Sequence, residues 1–85
     1  MMDPIWQESN DQLTRTFLFK DFLVAFEFMK EVALVAEQQG HHPNWSNVYN
    51  KVIITLTTHD AGNTVTEKDR SLASKIDIIA QKYLP

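Results

Sequence analysis

The chain has 85 residues, the length of one small domain, and a domain of this size buries only about 60% of its unfolded surface. It contains no cysteine, which excludes disulfide bonds, thiolate zinc sites and cysteine nucleophiles. Its formal charge of -3 comes without the basic stripe that nucleic-acid binding requires. No stretch approaches the ~20 apolar residues of a membrane span, and no leader pattern begins the chain. We therefore expect one cytoplasmic domain over residues 1–85 that binds neither nucleic acid nor membranes directly.

The beginning of the chain predicts a β-hairpin. Apolar and polar side chains alternate over residues 13–19, among residue types that favour strands. One side of this strand carries Leu13, Arg15, Phe17 and Phe19, and the other carries Thr14, Thr16 and Leu18. Ile5–Gln7 is a shorter candidate for the partner strand, which residues 8–11 would connect through a polar turn.

A long helix is predicted from Asp21 to Gln39, because apolar residues there recur at steps of three and four. Asp21 is the predicted N-cap and Gly40 the predicted C′ residue. The expected core stripe contains Phe22, Ala25, Phe26, Met29, Ala33 and Ala36. Further apolar residues lie off that stripe or at its edge, namely Leu23, Phe28, Val32, Leu34 and Val35. They indicate either a broad core face or a contact between subunits, and we favour the contact.

The second half of the chain predicts another hairpin and a last helix. The hairpin turn is expected at Asn50-Lys51, since asparagine tolerates a positive φ angle. Alternate residues of the outgoing strand face opposite sides. One side carries Val52, Ile54 and Leu56, and the other carries Ile53, Thr55, Thr57 and His59. Thr66 and Asp69 fit a capping box at the start of the last helix. Its expected buried stripe is Leu72, Ile76, Ile79, Ala80 and Tyr83. The order ββαββα predicts a two-layer α+β domain, with a four-stranded antiparallel sheet and two helices on one face.

Three histidines at the ends of predicted elements are the groups suited to proton transfer near neutral pH. His41 and His42 follow the long helix, and His59 ends the polar face of the last strand. Because Pro43 restricts His42 to an extended backbone, both rings of the pair can lie at the rim of one pocket. The set indicates acid–base chemistry, although each histidine alone is commonly structural. A metal site of His41, His59 and Glu37 is a weaker alternative, since the metal spacings of helical histidines and cysteine pairs are absent.

Together with their neighbours these positions form an ordered signature, Glu37, His41-His42-Pro43, Tyr49, His59 and Asp69. In order and spacing it resembles the signature of the pterin-4a-carbinolamine dehydratases. The intervening stretch 45–52 is also similar to that family. The likeness extends from about Trp6 to Ala80, which is nearly the whole chain. A pattern of specified residues with fixed gaps seldom arises by chance.

The resemblance implies an enzyme that removes water from a 4a-hydroxytetrahydropterin. The product would be a quinonoid dihydropterin, which a reductase recycles after aromatic amino-acid hydroxylation, and neither a metal nor a cofactor is implied. His41 and His59 would be the acid and base on the two sides of the pterin. His42 would bind the ring, and Glu37 would support His41. Further residues implied in the pocket or its support are Pro43, Trp6, Thr57, Thr58 and Asp69, the last of which would also cap the helix.

The resemblance also implies a saddle-shaped two-layer fold. In such proteins the sheets pair to form dimers, and the long helices pair to form tetramers. A homo-oligomer, a dimer of dimers, is therefore expected. Animal members carry an extra helical segment before the position of Trp6, and we expect this chain to lack it. Some of them also serve as dimerisation cofactors of a homeodomain transcription factor through the same helix surface. A protein-interaction module of that kind is the alternative function, and the missing segment argues against it here.

Overall fold

The fold is an antiparallel sheet with two helices packed on one face. A computed structural model describes residues 5–85, with strands β1 (Gln7–Ser9), β2 (Gln12–Leu18), β3 (Asn44–Val48) and β4 (Lys51–Leu56), helices α1 (Phe22–Gln39) and α2 (Glu67–Ala80), and a 3₁₀ turn at His59–Ala61. The strand order is β1-β2-β4-β3, and each neighbouring pair is antiparallel. The predicted α+β class and ββαββα order are confirmed. Residues 1–4, on which the expectation of no leader rests, lie outside the described residues.

The first hairpin has a shorter turn than predicted. Ser9 pairs with Gln12, and the residues between them, Asn10 and Asp11, have φ angles of 53° and 61°. Asparagine and aspartate tolerate this left-handed conformation, and such two-residue turns match the twist of the flanking strands. The predicted strand at Ile5–Gln7 is therefore wrong in position, because the tight turn lets β1 extend to Ser9.

The second hairpin turns at Tyr49-Asn50, one residue earlier than predicted. Val48 pairs with Lys51, and Tyr49 rather than Asn50 has the positive φ angle, 53°. Asn47 Nδ2 donates to the carbonyl oxygens of Tyr49 and Lys51, at 3.1 and 2.9 Å. Asn50 Nδ2 donates to a carbonyl oxygen just after β2, at 3.0 Å. The asparagines thus fix the turn through their side chains, which a preference for positive φ does not reveal.

Helix α1 begins and ends where the sequence predicts. Its N-cap, Asp21, accepts a hydrogen bond from the Val24 amide at 2.9 Å, and Gly40 follows the last turn with a φ angle of 66°. The residues that α1 buries are Ala25, Phe28, Val32 and Ala36. Neither helix of the described part is long and apolar enough to cross a membrane.

The predicted core stripe of α1 is wrong in part. Phe22 and Phe26 are 44% and 48% exposed, whereas Phe28 and Val32 are fully buried. The ring centroid of Phe28 lies 5.0 Å from that of Phe17 on β2. Since α1 has apolar residues on more than one side, its periodicity alone did not decide which side the sheet covers. A subunit contact through Phe28 and Val32 is therefore excluded. The large apolar residues left exposed on α1, Phe22, Leu23, Phe26 and Leu34, are called the α1 outer face.

Each of the strands β2 and β4 buries one of its two alternating sides, and α2 buries most of its predicted stripe. The buried residues of these elements include Leu13, Phe17, Val52, Ile54, Leu56, Leu72, Ile76, Ile79 and Ala80. Tyr83 differs from the prediction because it lies past the end of α2. Its hydroxyl donates to Glu31 Oε1 on α1 at 2.5 Å, so it ties the C-terminal turn to the other helix.

The core face of β2 carries a buried cation. Arg15 is only 7% exposed, and its Nη1 donates to Asp77 Oδ1 on α2 at 2.6 Å. Trp6 Nε1 donates to the same oxygen at 2.9 Å. Within residues 5–85 the Nε of Arg15 has no hydrogen-bond partner. Asp77 therefore compensates a charge that the fold has removed from water.

Candidate active site

Three chain segments meet at the carboxylate of Asp69, in the first turn of α2. His41, just after α1, places its Nε2 2.6 Å from Asp69 Oδ1. Thr58, just after β4, places its hydroxyl 2.6 Å from Asp69 Oδ2. Asp69 is fully buried, and the His41 side chain is 11% exposed. The ends of α1 and β4 and the start of α2 thus converge on one buried carboxylate, and His59 directly follows Thr58 in the chain.

A capping box holds Asp69 in this position, as predicted. The Thr66 amide donates to Asp69 Oδ2 at 2.9 Å, and the Thr66 hydroxyl accepts from the Lys68 amide at 3.3 Å. These bonds satisfy amides that the first turn of a helix otherwise leaves unpaired, and the carboxylate faces the positive end of the helix dipole. The same side chain therefore stabilises α2 and contacts His41.

The end of α1 fixes the backbone from which His41 projects. The Gly40 amide donates to the Glu37 carbonyl and the His41 amide to the Ala36 carbonyl, both at 3.1 Å. This pair of bonds is a Schellman motif, which requires a left-handed residue after the last helical turn. Glycine adopts that conformation without steric penalty. The direction of His41 is therefore determined by the way α1 ends.

Hydrogen bonds define the protonation of the His41–Asp69 pair. Burial by itself raises the pKa of Asp69, but hydrogen bonds from Thr58, His41 and the N-cap amide of α2 outweigh it. They hold that pKa below its ordinary value, so the carboxylate is ionised at neutral pH and can only accept hydrogen bonds. His41 must then donate from Nε2, which leaves Nδ1 as the basic nitrogen of the neutral ring.

His42 pairs with Glu37 on the exposed side of the helix end. Its Nε2 lies 2.8 Å from Glu37 Oε1, and both side chains are largely exposed. The predicted support of His41 by Glu37 is therefore wrong, and Asp69 occupies that position instead. The reason is that the chain turns inward after Gly40, so that His41 faces α2 while the Glu37 side chain remains exposed.

His59 begins the 3₁₀ turn that follows β4 and is exposed. Its Nδ1 lies 2.9 Å from Asn63 Oδ1, a hydrogen-bond acceptor. In the neutral ring Nδ1 therefore carries the proton, and Nε2 is the open nitrogen. His59 directly follows Thr58, which donates to the same carboxylate that His41 contacts.

Trp6 contacts α2 nearer its C-terminal end than His41 does. Its partner Asp77 follows Asp69 by about two turns of α2, or about 12 Å along the helix axis. The Trp6 ring packs edge-on against Phe17, with centroids 6.0 Å apart. It also lines a groove of about 250 Å³ beside α2, together with Arg70. Its predicted contact with a substrate stays a prediction.

Thr57 and Pro43 lie at the borders of the site. The Thr57 hydroxyl donates to the carbonyl oxygen of Asp11, in the first hairpin turn, at 3.0 Å. Pro43 follows the two adjacent histidines and is half-buried just before β3. The predicted role of both in lining a pocket also stays a prediction.

The alternative metal site does not assemble in the described part of the chain. Within residues 5–85, no three histidine, aspartate or glutamate side chains lie together in a cluster that could hold a metal ion. Glu37 faces His42, and His41 faces Asp69. The candidate ligands His41, His59 and Glu37 are therefore divided among different contacts.

Comparison with known proteins decides the family. The family model described as pterin 4 alpha carbinolamine dehydratase matches residues 1–79. The chain belongs to this dehydratase family. A relative from Synechococcus sp. (strain WH7803) is 54% identical over 76 residues, which are 89% of this chain and 81% of the relative. A relative from Rhodopseudomonas palustris (strain BisB18) is 50% identical over 84 residues, 96% of this chain and 82% of the relative. Both are provisionally named pterin-4-alpha-carbinolamine dehydratases.

Two solved structures share the dehydratase fold. One is a crystal structure from Brucella melitensis, described as a transcriptional coactivator/pterin dehydratase, with a TM-score of 0.84 and 48% identity. The match covers 93% of this chain and 84% of the Brucella chain. A pterin dehydratase-like protein, described as a RuBisCO assembly factor in the alpha-carboxysome, has a TM-score of 0.78 at 25% identity and covers 94% and 96%. The family fold therefore occurs in proteins described by more than one role.

Asn63 is a residue of the candidate site that sequence reasoning missed. It contacts His59 and takes a left-handed backbone, with a φ angle of 59°. An asparagine four residues after the histidine, directly after Gly62, was a signal that the site ends in a tight turn. The turn brings the amide back to the ring, which spacing alone did not predict.

Replacing Asp69 with asparagine should destabilise the fold at neutral pH and make the free energy of unfolding less dependent on pH in the acid range. The lowered pKa of Asp69 means that its ionised form stabilises the fold. This contribution is complete above the unfolded value of about 3.9 and is lost as pH falls through the lower folded value. We expect Asp69→Asn to lower the free energy of unfolding at pH 7 by roughly 2 kcal/mol, since asparagine cannot accept all of these bonds.

Urea unfolding measured at pH 7 and at steps from pH 5 to pH 2 checks this expectation. The difference between wild type and variant should narrow below about pH 4. Asp60→Asn, at an exposed position in the 3₁₀ turn, is the control, with an expected change within about 0.5 kcal/mol. If the free energies of unfolding of wild type and Asp69→Asn changed equally with pH, ionised Asp69 would not be what stabilises the fold.

Proposed function

We propose that this chain catalyses the loss of water from a 4a-hydroxytetrahydropterin, giving a quinonoid dihydropterin for recycling by a reductase. The observation that carries the proposal is the 2.6 Å contact between His41 and the buried carboxylate of Asp69. It provides a histidine of defined tautomer within a chain that belongs to the dehydratase family. The family name supports a dehydratase at this coarser level, and the histidine mechanism is our proposal.

The reaction requires two proton transfers and no change of oxidation state. The C4a hydroxyl leaves as water after it gains a proton, and the pterin loses the proton on N5. A base at Nδ1 of His41 can take one proton, because the ionised Asp69 stabilises the imidazolium that forms. His59, in its protonated form, can supply the other. The two histidines then exchange their protons through water, so that the net reaction releases one water and leaves the enzyme unchanged.

The pair formed by His42 and Glu37 suits binding rather than proton transfer. Both side chains are exposed and contact each other at 2.8 Å, so they can turn toward a ligand without leaving a buried group unpaired. Pro43 limits the backbone freedom of His42. We propose that this pair contacts the pterin ring, and that Pro43, Trp6 and Thr57 complete the pocket.

The decisive experiment is an assay of quinonoid dihydropterin formation from chemically prepared carbinolamine. The rate is followed by absorbance and compared with the uncatalysed rate in the same buffer. We expect catalysis with and without a chelator, because the proton transfers require no metal. An unchanged background rate at micromolar protein would reject the dehydratase proposal. Activity lost to chelator and restored by zinc would reject the metal-free mechanism.

A second candidate function is protein binding through the α1 outer face. Its residues Leu23 and Leu34 are 73% and 67% exposed. Two structural relatives are described as a transcriptional coactivator/pterin dehydratase and as a RuBisCO assembly factor, so interaction roles occur among similar proteins. The candidates separate by mutation: His41 and His59 variants should affect turnover alone, whereas charges on the outer face should affect association alone.

We further propose that the α1 outer face mediates self-association into a dimer of dimers. Each large apolar side chain that becomes fully buried contributes roughly 1.5 to 3 kcal/mol. Leu34→Glu should therefore shift the protein to a smaller species in sedimentation velocity at micromolar concentration. Ile78→Glu, at an exposed apolar position on α2, is the matched control and should not change the assembly. A wild-type protein that sediments as a monomer would contradict the proposal.

A further inference from the structure

Thr58 lies beneath the candidate site rather than on its surface. It is 4% exposed, and its hydroxyl oxygen lies 2.6 Å from Asp69 Oδ2 and 2.6 Å from the Thr66 hydroxyl oxygen. A residue in this position cannot contact a substrate above the histidines without a rearrangement. Its hydroxyl nevertheless connects the carboxylate of Asp69 to the N-cap of α2.

The directions of these hydrogen bonds follow from the available protons. The ionised carboxylate of Asp69 only accepts, so Thr58 donates its single hydroxyl proton to it. The 2.6 Å contact between the two hydroxyls then requires Thr66 to donate to Thr58. The Thr66 oxygen still accepts from the Lys68 amide at 3.3 Å. One consistent arrangement of protons therefore runs from the start of α2 to the carboxylate.

Each oxygen of the carboxylate has a separate set of partners. Oδ2 accepts from the Thr58 hydroxyl and from the Thr66 amide, whereas Oδ1 is left for His41. Two donors on Oδ2 oppose rotation of the carboxylate about its terminal bond. Oδ1 is then held where it accepts from Nε2 of His41, and the tautomer with a basic Nδ1 is maintained.

We propose that Thr58, oriented by the Thr66 hydroxyl, is a positioning residue for the reaction. It acts through Asp69 on His41 and does not bind the pterin. The kinetic part of this inference rests on the proposed dehydratase function, whereas its structural part concerns a hydrogen bond that exists without substrate. The two parts can therefore be tested separately.

The kinetic test compares Thr58→Val, which removes the hydroxyl at nearly constant volume, with Thr58→Ser, which retains it. Thr58→Val should lower kcat roughly 10- to 100-fold with KM within about twofold, since misplacing a reacting group has effects of this size. Thr58→Ser should stay near wild type. Thr55→Val is the matched control, since Thr55 lies on β4 with its hydroxyl 3.4 Å from that of Thr14, and it should leave kcat unchanged.

A double-variant cycle shows whether the effect passes through His41. Adding Thr58→Val to His41→Ala should lower kcat no further, because the residue through which Thr58 acts is already absent. Two outcomes overturn the inference. One is a raised KM at unchanged kcat, which would make Thr58 a substrate contact. The other is an undiminished effect of Thr58→Val in the His41→Ala background.

The structural test uses ¹⁵N-histidine NMR without substrate. We expect a downfield Nε2 proton of His41 that is protected from exchange in wild type and in Thr58→Ser, and lost or exchange-broadened in Thr58→Val. Thr58→Ala replaces the valine variant if circular dichroism shows that the latter does not fold. An unchanged Nε2 proton in the hydroxyl-free variant overturns the inference even if the enzyme is active. An inactive wild type with the expected NMR change rejects the dehydratase proposal alone.

Discussion

Replacing His41 with alanine should lower the kcat of pterin dehydration by about 10²- to 10⁴-fold while the protein remains folded. The ring contacts the ionised Asp69 through Nε2, so its Nδ1 is the base that the structure orients most firmly. An acid–base group acts mainly in the transition state and therefore affects kcat more than KM. His59→Ala should also lower kcat, whereas His42→Ala should mainly raise KM.

Separated 4a stereoisomers make this measurement sharper. The hydroxyl can leave from either face of the pterin, so His41 and His59 can each serve one isomer. On mixed substrate, the kcat of the double variant should then be much lower than that of either single variant. Steady-state kinetics on each isomer, with circular dichroism as the folding check, distinguishes these cases. If His41→Ala and His59→Ala remain folded with wild-type kcat on both isomers, the mechanism is wrong.

Replacing Asp77 with alanine should cause a large loss of stability. Arg15 would keep its charge at 7% exposure without a carboxylate partner, and Trp6 would lose its acceptor. Removing one partner of a buried ion pair is strongly destabilising, and we expect about 3 kcal/mol because the Asp77 side chain is 37% exposed. Urea unfolding at pH 7 gives the change in free energy.

Two comparisons test the cause of this loss. Glu27→Ala removes one partner of an exposed pair with Lys30, at 3.4 Å, and should change stability by no more than about 0.5 kcal/mol. Arg15→Met removes the buried charge itself, so adding it to Asp77→Ala should recover much of the lost stability. An equal loss in the Glu27 and Asp77 variants would reject the idea that burial of the cation sets the effect.

Local sequence rules predicted those parts of the fold that depend on neighbouring residues. The N-cap at Asp21, the glycine end of α1 and the capping box of Thr66 and Asp69 each use contacts within a few residues. The second hairpin was misplaced by one residue because Asn50 fixes the turn through its side chain, which donates to a carbonyl oxygen just after β2. The buried face of α1 was also misassigned, since only packing against the sheet decides between two apolar sides.

Of the candidate site, too, the sequence predicted some features and not others. The importance of Asp69 was predicted from the family signature and from its place in a capping box. Its contact with His41 joins residues 28 positions apart, so no local rule could supply the geometry. The family resemblance implied that Glu37, which lies one helical turn earlier, would support His41. The left-handed residue between them reverses the chain, and the carboxylate of another helix takes the position.

The left-handed end of α1 also bears on how this chain can evolve. A side chain added at Gly40 would meet no atom within 4 Å, so size is not what restricts the position. The restriction is the φ angle of 66°, which most residues adopt only at a cost of about 1 kcal/mol. During evolution, asparagine should therefore replace Gly40 far more readily than alanine or valine does. A position that takes no part in proton transfer thus limits the routes by which His41 can be kept in place.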